Sequence, residues 1–60
     1  MIDVKEKDVG KNVVYKHNSK KERGLIVQVS TTNDKIVYVR YGNKPYPEPT
    51  FTNDLHWGDK

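Results

Sequence analysis

The chain has sixty residues, eleven Lys and Arg against eight Asp and Glu, a net charge of +3 and no cysteine. A single domain of this length buries only about 60% of the surface its unfolded form exposes, which leaves little room for a deep, water-excluding active site. Without cysteine there is neither a disulfide framework nor a thiolate nucleophile, a composition suited to a reducing compartment.

No apolar run exceeds a few positions, and Met1-Ile2-Asp3-Val4-Lys5-Glu6 carries neither a basic n-region nor an apolar h-region. Export and membrane anchoring are therefore not expected. Asp8-Val9-Gly10-Lys11 reads as a turn, followed by a first strand over Asn12 to Lys16 with Val13 and Tyr15 on one face and Val14 on the other. The polar run His17 to Arg23, closed by Gly24, contains no apolar residue and is expected to form an exposed basic loop. Leu25 to Val29 is a second strand, more continuously apolar and hence central, with Gly24 permitting a bulge or a close backbone approach.

Ser30 to Asp34 is a connection of hairpin length, so the next strand, Lys35 to Tyr41, should pair antiparallel with the second. This third strand shows the clearest period of two in the chain. Val37 and Val39 fall on one face, and Ile36, Tyr38 and Arg40 on the other. After the turn Gly42-Asn43-Lys44, prolines at 45, 47 and 49 hold an extended segment and withhold backbone donors, excluding a central strand. Thr50-Phe51-Thr52 is expected as a short fourth strand with Phe51 inward, Asn53-Asp54-Leu55 as a tight helical turn, and His56-Trp57 as a final short strand. Residues 1 to 7 and 58 to 60 should be loosest, with Ile2 and Val4 able to pair along an edge. The predicted core is Val13, Tyr15, Ile26, Val29, Val37, Val39, Phe51 and Leu55.

Two groups of residues carry candidate chemistry. Lys16, His17, Lys20, Lys21 and Arg23 form a basic stretch, and Arg40 beside Tyr38 sets a cation next to a stacking face, a pairing that single-strand and RNA binders use. Exposed strand edges, with Tyr38, Tyr46, the proline segment and Trp57, are instead suited to a protein partner. Catalysis is not expected: Asp54-x-His56 offers a carboxylate and a base, but no motif places a nucleophile such as Ser19 or Ser30. Two histidines without cysteine match no zinc pattern, so neither a metal nor another cofactor is expected.

Five short strands, a long first loop, a proline-containing segment and a helical turn before the last strand resemble the SH3-like barrel, over about residues 8 to 57. More narrowly, Val9-Gly10-Lys11-x-Val13, Gly24-x-Ile26 and Val37-Tyr38-x-x-Tyr41-Gly42-Asn43 resemble strand entries and exits of Tudor-type and KOW-type barrels. In the Tudor family three or four aromatic faces hold a methylated arginine, each contributing about 0.5–2 kcal/mol. By that resemblance Tyr38, Tyr41 and Asn43 stand at two cage tyrosines and the cage asparagine. His17 and Val27 stand near the remaining cage positions and leave the second wall incomplete, and Tyr41 has an alternative place in the barrel core. KOW-type barrels often touch RNA with the first loop, which points the same way as the basic stretch. Asp8-Val9-Gly10, Val37-Tyr38-Val39-Arg40-Tyr41-Gly42 and Asp54-Leu55-His56-Trp57 also resemble a group of very small bacteriophage proteins, which implies a bacterial host cytoplasm.

The expectation from sequence is thus a non-enzymatic, all-β, five-stranded SH3-like binding module, independent of membranes, with a monomer favoured and a dimer through an exposed edge strand left open. Its binding surface would join Tyr38, Arg40, Tyr41 and Asn43 to Lys16, His17, Lys20, Lys21 and Arg23. A protein partner ranks ahead of nucleic acid.

Overall fold

The computed structural model describes residues 2–42 and 44–58. Five strands, β1 (Asn12–His17), β2 (Lys20–Val29), β3 (Ile36–Tyr41), β4 (Glu48–Phe51) and β5 (Leu55–Trp57), form one antiparallel sheet in the order β4-β3-β2-β1-β5. The only helical segments among the described residues are two 3-10 turns, Glu6–Asp8 and Thr52–Asp54. No helix is long and apolar enough to cross a membrane.

The expected basic loop is mostly strand. β2 runs for ten residues, and β1 pairs with it from Asn12↔Leu25 to His17↔Lys20, leaving Asn18-Ser19 as a two-residue connection. Asn18 takes a positive φ of 57°, which Asn tolerates better than most side chains. Polarity concealed this arm because it extends beyond the core and is held by its backbone ladder rather than by burial.

Val13, Ile26, Val37, Val39 and Leu55 are the fully buried heart of the fold, with Tyr41 and Val4 beside them and Tyr15 and Val29 packed partly buried against it. Val4 joins this core without forming a strand. Phe51 does not. The β3–β4 register sets Val37 opposite Thr50 and Ile36 opposite Phe51, so Phe51 shares the outward parity of Ile36 and is 58% exposed. Thr50 turns inward instead, its hydroxyl 2.8 Å from the Tyr41 hydroxyl. Pro49 sits in β4, an edge strand, where a missing backbone donor is tolerated.

Two features set the alignment of β2. Its register against β3 shifts between Ile26↔Val39 and Gln28↔Tyr38, which makes Val27 a bulged residue and lets Ile26 and Val29, three apart, both face inward. The turn before β1 docks on the same point, with the Gly10 N–H donating to the Ile26 carbonyl at 2.8 Å and the Ile26 N–H to the Lys11 carbonyl at 3.0 Å. Gly10 adopts φ +98°, and buried Asp8 closes the turn by accepting from the Lys5 N–H at 3.0 Å and from the Lys11 ammonium at 2.8 Å. These contacts hold the Asp8 carboxyl below its ordinary pKa of 3.8, the Lys11 side chain contributing most and the Lys5 N–H next.

Candidate functional site

Strand parity sorts the basic residues between the two faces of the sheet. With Val13, Ile26 and Leu55 inward, the outward positions include Val14 and Lys16 on β1, Lys21, Arg23 and Leu25 on β2, Tyr38 and Arg40 on β3, and His56 on β5. The cross-strand pairs make these positions contiguous: Lys16 lies opposite Lys21, Val14 between Arg23 and His56, and Arg40 opposite Leu25. The N-terminal half of β2 thereby joins the first hairpin to the third strand.

The four cations Lys16, Lys21, Arg23 and Arg40 are exposed, and no described Asp or Glu occupies an outward position of β1, β2, β3 or β5. Glu22, the one carboxylate within β2, has inward parity opposite Tyr15. The ion pairs among the described residues engage Lys5, Lys11, His17 and Lys44, so these four cations remain uncompensated. Placing Lys16 directly across from Lys21 is locally repulsive. A hairpin selected for stability alone would relieve that repulsion with one acid.

Beside this patch lies a shallow depression of about 180 Å³, with Val14 lining it among Lys16, Lys21, Arg23, His56 and Trp57. Trp57 is 42% exposed and lies opposite Val13, so its side chain has the inward parity of Val13 and Leu55, with the Lys11 ammonium 5.5 Å from its ring centroid, within cation–π range. His56 and Trp57 were not among the sequence-predicted site residues. His56 reaches the outer face because β5 returns to pair with β1, a non-local contact with no local sequence signal, whereas Trp57 borders the depression from the opposite parity.

Of the predicted site residues, Lys16, Lys21, Arg23, Tyr38 and Arg40 share the outer face, Tyr38 half-buried between Gln28 and Pro49. Three lie elsewhere. Tyr41 is 3% exposed on the opposite side of β3, edge-on to Tyr15 at 6.0 Å, and burial raises its hydroxyl pKa above the ordinary 10.0. His17 and Lys20 have the inward parity of Tyr15 and Glu22. The His17 ring stacks on Tyr15 at 6.3 Å, with Nδ1 3.4 Å from an Asp54 carboxylate oxygen. Asn43 lies outside the described residues. Tyr38 and Tyr41, three apart on a regular strand, face opposite ways and cannot wall one aromatic cage.

Asp54 meets His17 rather than His56, so the Asp54-x-His56 spacing does not produce a paired acid and base. Among the described residues no group of three or more His, Asp or Glu side chains could hold a metal ion. Comparison with protein-family models, curated proteins and solved structures finds no match for this chain.

Proposed function

We propose that this chain is a small, non-enzymatic binding module that engages nucleic acid through the outer face of its sheet. The carrying observation is the segregation of Lys16, Lys21, Arg23 and Arg40 onto one face without a described carboxylate, with Tyr38 on the same face. Such a face attracts phosphates and gains affinity by releasing their counterions, whereas a folded protein partner would have to present a matching run of acids. That contrast reverses the order in which the two partner classes rank from sequence.

We read the sheet further as an SH3-like barrel of Tudor or KOW type, a reading supported by the strand order β4-β3-β2-β1-β5 and the 3-10 turn directly before β5. The KOW-type likeness puts nucleic-acid contacts on the first hairpin, and the bacteriophage likeness puts the site of action in a host cytoplasm.

The test compares two variants with equal charge change. Lys21→Glu with Arg23→Glu should weaken polynucleotide binding about tenfold or more, since each removes a phosphate contact and adds a repulsion. Lys7→Glu with Lys20→Glu, off this face, should change it far less. Equal losses in the two variants, or no binding of the parent chain to polynucleotide at low salt, would sink the proposal.

One specific observation supports a protein partner as the second reading. Phe51 stands 58% exposed on the edge strand β4, next to Ile36 and Pro49 around a small apolar hollow. A protein captured from host lysate that survives nuclease and is lost with Phe51→Ser would favour it.

A further inference from the structure

We infer that the outer face takes single-stranded nucleic acid, with one unpaired base seated in an apolar hollow beside Leu25 and Val27 and the adjoining phosphates held by Arg23 and Arg40. This rests on the nucleic-acid reading above and narrows it to a substrate class and a subsite.

The first ground is the hollow itself. Val9, Leu25, Val27, Pro45 and Pro47 line a concavity of about 420 Å³, and among the described residues Arg40 is the one charged side chain on its lining. Small-ligand clefts span about 300–1,000 Å³ and are mostly apolar, with a few polar groups that fix orientation. Val9 is 43% exposed and Val27 38% exposed, so two β-branched side chains meet water at one place. Apolar residues scattered singly over a surface are ordinary, but a set gathered around a concavity marks a binding site. Val27 owes its position to the β2 bulge, a device that re-aims a side chain.

The second ground is position. Leu25 has the outward parity of Lys21 and Arg23 and lies directly opposite Arg40. Alternate residues of a strand are about 6.6 Å apart, so the cationic row of β2 runs through Lys21 and Arg23 and reaches the hollow at Leu25. Directly paired residues have Cβ atoms about 4.5–5.5 Å apart, which sets Arg40 beside Leu25 at the hollow. A nucleotide joins the two chemistries found here, an anion and a flat ring with apolar faces, and an unpaired base can also stack on a guanidinium plane. A duplex presents phosphates to the same cations but keeps its bases inside the helix. An apolar side chain of a protein partner would fill the hollow and leave the cations beside it unmatched.

The third ground is pre-organisation. The segments that carry Val9 and Val27 are tied together by the Gly10 N–H donating to the Ile26 carbonyl at 2.8 Å and the Ile26 N–H donating to the Lys11 carbonyl at 3.0 Å. Pro45 and Pro47 have their φ angles fixed by their rings. A site held in this way needs little ordering when a ligand enters.

The full chain is titrated at low salt with end-labelled oligothymidylate and with an abasic deoxyribose-phosphate oligomer of equal length, which keeps the phosphates and lacks the bases. The expected result is at least about fivefold tighter binding of oligothymidylate, the low end for one stacked base. Val27→Ser should bring oligothymidylate close to the abasic oligomer and leave the affinity of the abasic oligomer unchanged. In the parent chain, the NMR methyl signals of Val9, Leu25 and Val27 should shift with oligothymidylate, through the ring current of the base, and stay in place with the abasic oligomer and with a mixed-sequence duplex. That reading covers the case in which Val27→Ser fails to fold. Equal affinity for the two oligomers, or methyl signals that ignore oligothymidylate or move as much with duplex, overturns the inference while leaving the cationic face standing. Absence of binding to all three ligands overturns both.

Discussion

Gly24→Ala should destabilise the protein although it adds one methyl group at a strand position. A Cβ built on Gly24 lies 2.4 Å from Val39 Cγ1, 2.9 Å from Tyr41 Cδ1 and 3.0 Å from Tyr41 Cε1. The shortest of these is 1.0 Å inside the lower limit of ordinary van der Waals contact, 3.4 Å. Neither neighbour yields readily: Val39 is fully buried and stiff at χ1, and Tyr41 is tethered through its hydroxyl to Thr50 at 2.8 Å. Overpacking of this kind costs about 1–3 kcal/mol, and two neighbours moving together put Gly24 in the upper half of that range. Loss of glycine's freedom in the unfolded chain returns about 0.4–1 kcal/mol, for a net loss of about 1–2.5 kcal/mol. A 60-residue domain has only about 3–9 kcal/mol in total, so Tm should fall by roughly 4–20 °C. Thermal melts by circular dichroism measure this. Val39→Ala removes the clashing methyl, so Gly24→Ala combined with Val39→Ala should be less destabilised than the sum of the single variants. An unchanged or raised Tm for Gly24→Ala, with strict additivity in the cycle, would refute the packing argument.

Tyr41→Phe removes the buried hydroxyl contact with Thr50, whose own hydroxyl still donates to the Glu48 carbonyl at 3.3 Å, so the expected loss is about 0.5–1.5 kcal/mol in denaturant melts. Because burial raises the Tyr41 pKa, the unfolded chain releases that proton first, and stability should decline as pH rises above 10.0. The phenylalanine variant lacks that part of the decline. Asp8 has the opposite sign: its folded pKa is depressed, so its contribution is present above 3.8 and lost as pH falls through the folded value. Asp8→Asn should therefore lower Tm at neutral pH, and its difference from the parent should close in acid. On β4, Phe51→Ser should shift stability by no more than about 0.5 kcal/mol, whereas Leu55→Ala, at a fully buried position, should lose about 2–5 kcal/mol; a large loss from Phe51→Ser would contradict the register.

What could be read from sequence depended on whether burial and periodicity agreed. Val37 and Val39 alternate with Ile36, Tyr38 and Arg40 on a strand buried on one side, and their parity is as expected. Ile26 and Val29 are both core-facing at a spacing of three, which only the bulge at Val27 reconciles, and no residue announces that bulge. Phe51 looks like a core residue by hydrophobicity alone. Its direction is decided by the β3–β4 register, in which Thr50 takes the inward place opposite Val37 and pairs with Tyr41. Lys20 to Arg23 looked like a loop because a strand beyond the core has no apolar alternation to display, and that one difference moved His17 and Lys20 away from the candidate face. The joining of His56 to Lys16, Lys21 and Arg23 arises from β5 pairing with β1 across most of the chain, beyond the reach of any local pattern.

The central claim is that four outward cations form a phosphate-binding face, and the salt dependence of affinity tests it most directly. With Lys16, Lys21, Arg23 and Arg40 each neutralising one phosphate, log affinity for a single-stranded oligonucleotide should fall against log salt with a slope of about −3. Arg23→Ala should make that slope shallower by about 0.7. A slope near zero, or one unaffected by loss of Arg23, would contradict the account.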